Sequence, residues 1–495
     1  MRINASGRNG EANFGHPKHV RYGMERFEDF GQEDQGDQRL QQEASRFEAM
    51  LKGDAYHFFD MLTLEDLFFY YMRHNKFSKA LNLVNYSLKQ HPNSEELFFK
   101  RATVLLEMGK LKEARREVKR AMEINPTQLD YVFLDSEILS QLGRYKEAMA
   151  SLEKFLSLTD TPEEVWFHMG NLAQNLGHVK DAEKCFRKAI ELQPDFEEPV
   201  YELAYCLESQ EKVDDAVALY NSYLDKQPFA YPVWYNLGIL YARLGLFEKA
   251  IDCYDFALAI EDSFASAWYN KGNVLMDLEK YEEALKCFLE ACVHEKPDLS
   301  IHYNIAECYE HLGHYAMAVK YYYRCTDSNP EYTDAWVGLG YCMECEEKPS
   351  EAITFYKKAS LLDSENFDTW VSLATCEYQV GHSLSAYEAL QQALRINSHE
   401  LKMWQEWGNL LWYDDNKDGA ISFLAEGIKL NPAMAELYFQ AAAFCFMKKK
   451  NSKGANYLEN GLLLDPSKFK VMLRIDATLA DLPIVKNLIA QYVIE

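Results

Sequence analysis

The chain has 495 residues, 48% of them hydrophobic, and carries 77 acidic against 52 basic side chains for a formal net charge of −25. This balance argues against nucleic acid and anionic membranes as partners, because phosphate binding needs a net cationic face. There is no run of 18 apolar residues and no apolar leader segment, so neither a membrane span nor a secretory signal is expected, and the chain reads as cytoplasmic.

Residues 1–40 are rich in Gly, Asn, Gln, Asp and Glu without helical period, and are expected to form a disordered tail. Between Gln41 and Lys52, Ala44, Phe47, Met50 and Leu51 share one helical face, so residues 41–60 read as an N-terminal capping helix. Thr63 with Asp66 resembles a capping box that would start the next helix.

From residue 61 the chain repeats every 34 residues without insertion or deletion, in blocks starting at 61, 95, 129, 163, 197, 231, 265, 299, 333, 367, 401 and 435. The clearest block, Ala265–Asp298, holds two amphipathic runs, Ser266–Leu278 and Tyr281–His294, around a short break. Counting from the first residue of a block, position 20 is Ala in every block (Ala80, Ala284 and their equivalents) except the last, which has Gly454. Only a small residue suits a close helix crossing. Position 8 is Gly or Ala in ten blocks, the exceptions being Phe68 and Ser136. Six of the eight tryptophans take position 4, where they would fill gaps between helices. Seven of the fourteen prolines close a block at position 32. Gly at position 15, as in Gly109 and Gly313, suits a helix end with positive φ. Phe155 and Tyr223 replace the usual Ala at position 27, so the helices there are expected to spread. After Pro466 the pattern fades, and residues 469–495 read as C-terminal capping helices, the last from Ile484 to Val493.

The pattern resembles the tetratricopeptide repeat family, with Trp, Leu-Gly, Tyr, Ala, Phe and Pro at fixed offsets in a 34-residue helix–turn–helix. The resemblance spans residues 61–468, twelve repeats. It implies an all-α, right-handed superhelical solenoid of stacked hairpins, with a concave groove that binds peptides or protein partners. It implies no chemistry and no cofactor.

In that family the groove is lined by positions 2, 5, 9, 12 and 13 of each first helix. Position 5 is aromatic in seven consecutive blocks: Phe99, Phe133, Phe167, Tyr201, Tyr235, Tyr269 and Tyr303. Such rings either form a binding ladder or pack between neighbouring helices. Position 6 adds Asn236, Asn270 and Asn304, and position 9 adds Asn171, Asn273 and Asn409; amides both donate and accept, which suits an extended peptide backbone. The five groove positions hold fifteen acids against three bases. Without position 2, where helix N-termini favour acids anyway, eight acids including Glu307 and Glu310 remain against Arg73 and Arg243. The Lys at position 5 that marks carboxylate-clamp repeats is missing from all twelve blocks.

Most of the eleven cysteines follow the repeat, with Cys206, Cys308, Cys342 and Cys376 at position 10 and Cys185, Cys253 and Cys287 at position 23, and read as small core fillers. Cys342 and Cys345 make a lone CxxC without a second pair, so no metal site is expected. His311 and His314 flank a turn and lack a metalloprotease spacing. With no phosphate loop or nucleophile motif, the reading is a non-catalytic scaffold or adaptor. Its partner would be a protein or peptide with basic and apolar residues. The alternatives are a self-associating structural protein, a homo-oligomer, or an accessory subunit of an enzyme complex.

Overall fold

The computed structural model describes residues 33–53 and 59–492, and these divide between two compact units, residues 1–267 and 268–495. Among the described residues all regular structure is helical, and no helix is long and apolar enough to cross a membrane. Most of the expected tail, residues 1–40, lies outside the described residues.

The first unit opens with α1 (Glu33–Lys52). This helix begins at Glu33 rather than Gln41, and Leu40, Ala44 and Phe47 share the face it turns to the core. Phe47 meets Phe59 and Tyr86 edge-on, each at 5.6 Å, which packs α1 against the first hairpin. The hairpins follow as α2 (Met61–Arg73) with α3 (Phe77–Gln90), and α4 (Glu95–Glu107) with α5 (Leu111–Ile124). Next come α6 (Leu129–Gln141) with α7 (Tyr145–Phe155), and α8 (Pro162–Asn175) with α9 (Val179–Leu192). The last two are α10 (Glu198–Ser209) with α11 (Val213–Leu224), and α12 (Tyr231–Arg243) with α13 (Phe247–Ile260). The cap of α2 differs from the expected box. Asp60, not Thr63, is the N-cap, and its carboxylate accepts from the Thr63 N–H at 2.7 Å.

The second unit begins within α14 (Ala265–Asp277), which pairs with α15 (Tyr281–His294). It continues as α16 (Leu299–His311) with α17 (Tyr315–Ser328), and α18 (Thr333–Cys345) with α19 (Pro349–Leu362). Then come α20 (Phe367–Gln379) with α21 (Ser383–Ile396), α22 (Leu401–Tyr413) with α23 (Lys417–Leu430), and α24 (Ala435–Met447) with α25 (Asn451–Leu464). Two short helices, α26 (Lys470–Ile475) and α27 (Pro483–Tyr492), alternate with 3-10 turns and bury Met472, Leu479 and Val485 against the last hairpin.

Three columns of the repeat set how the helices approach one another. The position-20 alanines from Ala80 to Ala420 are at most 1% exposed. Glycine at position 8 makes room for the ring at position 24 of the same hairpin: a Cβ on Gly238, Gly272 or Gly340 would come within 2.6–2.7 Å of Tyr254, Phe288 or Tyr356. The tryptophans at position 4 fix the connectors, since the indole N–H of Trp234 and Trp336 donates to the carbonyl of Pro228 and Pro330 at 2.9 and 3.0 Å. Where Phe155 and Tyr223 occupy position 27, the second helix is shorter, 11 residues in α7 and 12 in α11 against 14 in the other hairpins. The larger ring replaces the Ala that elsewhere lets the last turn pack closely.

Every block has positive φ at position 15, from 55° to 89°. In eleven of the twelve blocks the next N–H bonds back to the carbonyl at position 11, as from Lys280 to Leu275 at 2.8 Å, which closes the first helix in a Schellman turn. Six blocks use glycine there and six use Asn75, Glu211, Glu279, Glu347, Asp415 and Lys449.

Candidate functional site

The position-5 rings are held from two sides. Phe167 lies 5.9 Å from Phe186 on its own second helix and 5.2 Å from Phe196 in the connector. Tyr235 lies likewise between Tyr254 and Phe264, at 6.0 and 4.8 Å, and Tyr303 between Tyr322 and Tyr332, at 5.7 and 5.4 Å. Tyr269 has Phe288 at 5.8 Å, and Phe99 has Tyr131 at 5.1 Å. Two members leave the expected ladder. Phe133 is 1% exposed with its ring stacked 4.0 Å from His168, and Phe167 is 8% exposed, so both belong to the core. Phe99, Tyr201, Tyr235, Tyr269 and Tyr303 are half-buried. Burial, with Glu198 and Glu197 nearby, raises the Tyr201 hydroxyl above its usual range and keeps it neutral.

The amides are largely engaged within the protein. Position 6 reaches back to the preceding hairpin: Asn304 donates to Asn273 at 2.8 Å, and Gln440 donates to Asn409 at 2.9 Å. Lys100 to Glu65 and His168 to Ser136, both 2.8 Å, are the charged and aromatic versions of this contact. Asn236 donates instead to the Pro232 carbonyl of its own helix at 2.7 Å, and Asn270 is buried. Asn171 stays half-buried. The row is therefore not free along its length: Asn304 spends an amide N–H on the preceding first helix and Asn236 on its own, while Asn273 and Asn409 are engaged through their oxygens.

The position-12 carboxylates also turn inward. Glu310 is 5% exposed and accepts from the Tyr322 hydroxyl at 2.7 Å, and Glu344 accepts from Tyr356 at 3.0 Å. Glu208 pairs with Arg243 of the next hairpin. Glu310 thus leaves the groove list, because a position-24 tyrosine reaches under it. Glu307, at position 9, remains half-buried.

What remains together is a polar cluster on α14 and α16. The Tyr269 hydroxyl bonds to Asn273, Ser300 and Asn304; burial still raises its pKa, and these bonds oppose the rise. Tyr303 and Glu307 follow on the same helix as Asn304. Sequence reading passed over two exposed aromatics at groove positions, Tyr205 at position 9, 38% exposed, and Tyr413 at position 13, 76% exposed. Their signal was an aromatic residue at a groove position other than 5.

None of the eleven cysteines is in a disulfide; Cys292 and Cys345 are half-buried and the rest buried. Burial pushes the Cys185 thiol up to about 11 and that of Cys206 up to about 12, which suits core fillers rather than nucleophiles.

Comparison with known proteins agrees with this architecture. Tetratricopeptide repeat profiles match residues 167–231, 231–264, 265–294 and 299–332. A profile described as anaphase-promoting complex, cyclosome, subunit 3 matches residues 71–155. Similar solved structures include YrrB, described as a TPR protein with an unusual peptide-binding site (22% identity, 37% of this chain and 95% of that chain, TM-score 0.34). Others are a tetratricopeptide repeat protein from Parabacteroides merdae (17% identity, 49% and 95%, TM-score 0.36) and PilW, a type IV pilus biogenesis factor (20% identity, 41% and 94%, TM-score 0.36). No curated protein matches the chain. The chain belongs to the tetratricopeptide repeat family of protein-interaction scaffolds.

Proposed function

We propose that the protein is a non-catalytic adaptor that holds a protein or peptide partner on the first-helix face of α14 and α16. The observation that carries this reading is the cluster of half-buried Tyr269, Asn273 and Asn304 with exposed Ser300, and Tyr303 and Glu307 beside it. Its amides and hydroxyls are already oriented by one another, so a ligand's polar groups meet fixed partners and less ordering entropy is lost on binding. Glu307 on this face, with Asp277 exposed at the end of α14, favours basic residues in the partner. The half-buried rings offer apolar contact to neighbouring side chains.

The test is a peptide display library selected on the full chain at physiological ionic strength. Peptides combining Lys or Arg with apolar residues are expected, and Asn304→Ala with Glu307→Gln should weaken them about tenfold or more by removing a preorganised amide and a charge. Enrichment of acidic peptides, or binding unchanged in that double variant, would reject the reading.

A further inference from the structure

The outward face of the second helices reverses its charge within the first unit at fixed repeat positions. Position 18 reads Lys112, Lys146 and Lys180 on α5, α7 and α9, then Asp214 and Glu248 on α11 and α13. Position 22 changes from Arg116 and Lys184 to Asp252, and position 25 from Lys119 and Arg187, with Glu153 between them on α7, to Asp255; all of these side chains are exposed. The bases of α5 are underlain by acids that do not show on the surface. Glu117 and Asp135 are at most 2% exposed and pair with Arg101, Arg116 and Arg120, and with Arg115 and Lys119. At these three positions a chain of net charge −25 therefore presents seven bases against Glu153 on α5 to α9, and four acids with no base on α11 and α13.

The same positions of the same repeat have the same local shape, so the two faces match in form and oppose in sign. We infer that the occupant of this surface is a second copy of the chain, docked antiparallel about a two-fold axis near α9 and α11. Such an axis reverses the order of the faces, placing the cationic face of each copy on the anionic face of the other in a self-complementary contact. Exposed Ala150 and Ala218, at position 22 of α7 and α11, leave space for a facing helix. The net negative charges of the two copies are screened beyond about 8 Å at physiological ionic strength, whereas facing pairs a few ångströms apart are not. A nucleic acid fits less well, because its backbone would run from the cationic helices directly onto Asp214, Glu248 and Asp252. The surface is separate from the first-helix face assigned to a partner above.

Sedimentation velocity of the full chain at physiological ionic strength is expected to show a reversible dimer that dissociates in about 1 M salt, where the screening length is about 3 Å. Lys112→Glu, Lys146→Glu, Lys180→Glu and Lys184→Glu together leave two acidic faces; Asp214→Lys, Glu248→Lys and Asp252→Lys together leave two basic ones. Each of these two variants alone should dimerise at least about tenfold more weakly. Mixed in equal amounts they should form a one-to-one heterodimer, because every face again meets its opposite. A wild-type monomer at all concentrations, dimers that survive both reversals, or no heterodimer from variants with wild-type circular dichroism would each overturn the inference. So would a monomer that binds polyglutamate or transfer RNA on the cationic helices, which would make that face a site for another anionic partner.

Discussion

The Tyr322 hydroxyl donates to the Glu310 carboxylate at 2.7 Å, tying α17 to α16 at a point where the tyrosine is 0% and the glutamate 5% exposed. The next hairpin repeats the bond between Tyr356 and Glu344 at 3.0 Å, where the glutamate is only half-buried. Hydrogen bonds to charged groups contribute about 1.5–3 kcal/mol, and a buried carboxylate that loses a donor regains no water. Tyr322→Phe should therefore cost about 1.5–3 kcal/mol and Tyr356→Phe less. Urea unfolding gives the totals, and hydrogen exchange should place the first loss in α16 and α17. Equal costs at the two sites would show that burial of the carboxylate does not set the effect.

Glycine at position 8 gives a second, graded prediction. A Cβ on Gly272 would meet the Phe288 ring at 2.7 Å, whereas on Gly408 it would meet the Leu424 side chain at 3.1 Å. Ala in a helix is otherwise favoured over Gly by about 1 kcal/mol. Overpacking against a fully buried ring should outweigh that gain at Gly272, for a net loss of about 1–3 kcal/mol. Gly408→Ala should cost less than Gly272→Ala, because the terminal methyl of the leucine can shift, although Gln440 Nε2 at 3.3 Å is held by its bonds to Gln405 and Asn409. Thermal unfolding of the two single variants decides this, and a stabilised Gly272→Ala would contradict the packing argument.

Hairpin register was legible in the sequence because it rests on steric exclusion. Position 20 is Ala or Gly since no larger group fits, and a column that tolerates one size is visible without coordinates. The groove was less legible. Phe133 and Tyr303 occupy the same position with similar side chains, yet His168 of the following hairpin covers the first while the second stays half-buried. Whether a position-12 glutamate faces outward depends on the position-24 residue of the other helix, as Glu310 with Tyr322 shows. Those are pair properties, and a column-by-column reading sees only single positions. The Asp60 cap escaped for a related reason: it lies just before the block, so the repeat frame left it out.

Position 15 yields a prediction of stabilisation. Glu347 has φ of 58° and Gly313 has 74°, and around Gly313 a Cβ would meet nothing within 4 Å. Any penalty there comes from the backbone itself, about 1–2 kcal/mol for a residue with a Cβ in this region. Glu347→Gly should accordingly raise stability by up to about 1 kcal/mol, after allowing for the greater freedom of glycine in the unfolded chain. Gly313→Ala should lower it by a similar amount. Midpoints of urea unfolding at unchanged slope would measure both, and a destabilised Glu347→Gly would show that its side chain contributes more than its backbone strain costs.

His168 gives the pH dependence its sign. The ring is 8% exposed and stacked on Phe133, and Ser136, which donates to the Phe133 carbonyl at 2.7 Å, accepts from Nε2 at 2.8 Å. Burial lowers its pKa from the usual 6.5 to about 3. Between those two values the unfolded chain holds a proton that the folded chain lacks. The contribution of the neutral ring is therefore complete above pH 6.5 and is lost progressively as pH falls below it, by at most about 1.4 kcal/mol per pH unit. In the window from about pH 6.5 to 4.5 His302 on α16, lowered by burial, and Glu197 and Glu208 at α10, raised by burial, also respond, so it is the location of the loss that separates His168 from them. Loosening should begin in α6 and α8, where the ring is packed, because each hairpin contacts only its neighbours. His168→Asn places there the amide that later hairpins carry at the same position, in Asn236, Asn270 and Asn304. It can still bond Ser136 but cannot take up a proton. Hydrogen exchange of α6 and α8 across this window, corrected for the intrinsic pH dependence, should fall in protection in the wild type and stay level in His168→Asn; equal slopes in the two proteins would assign the acid sensitivity to another group.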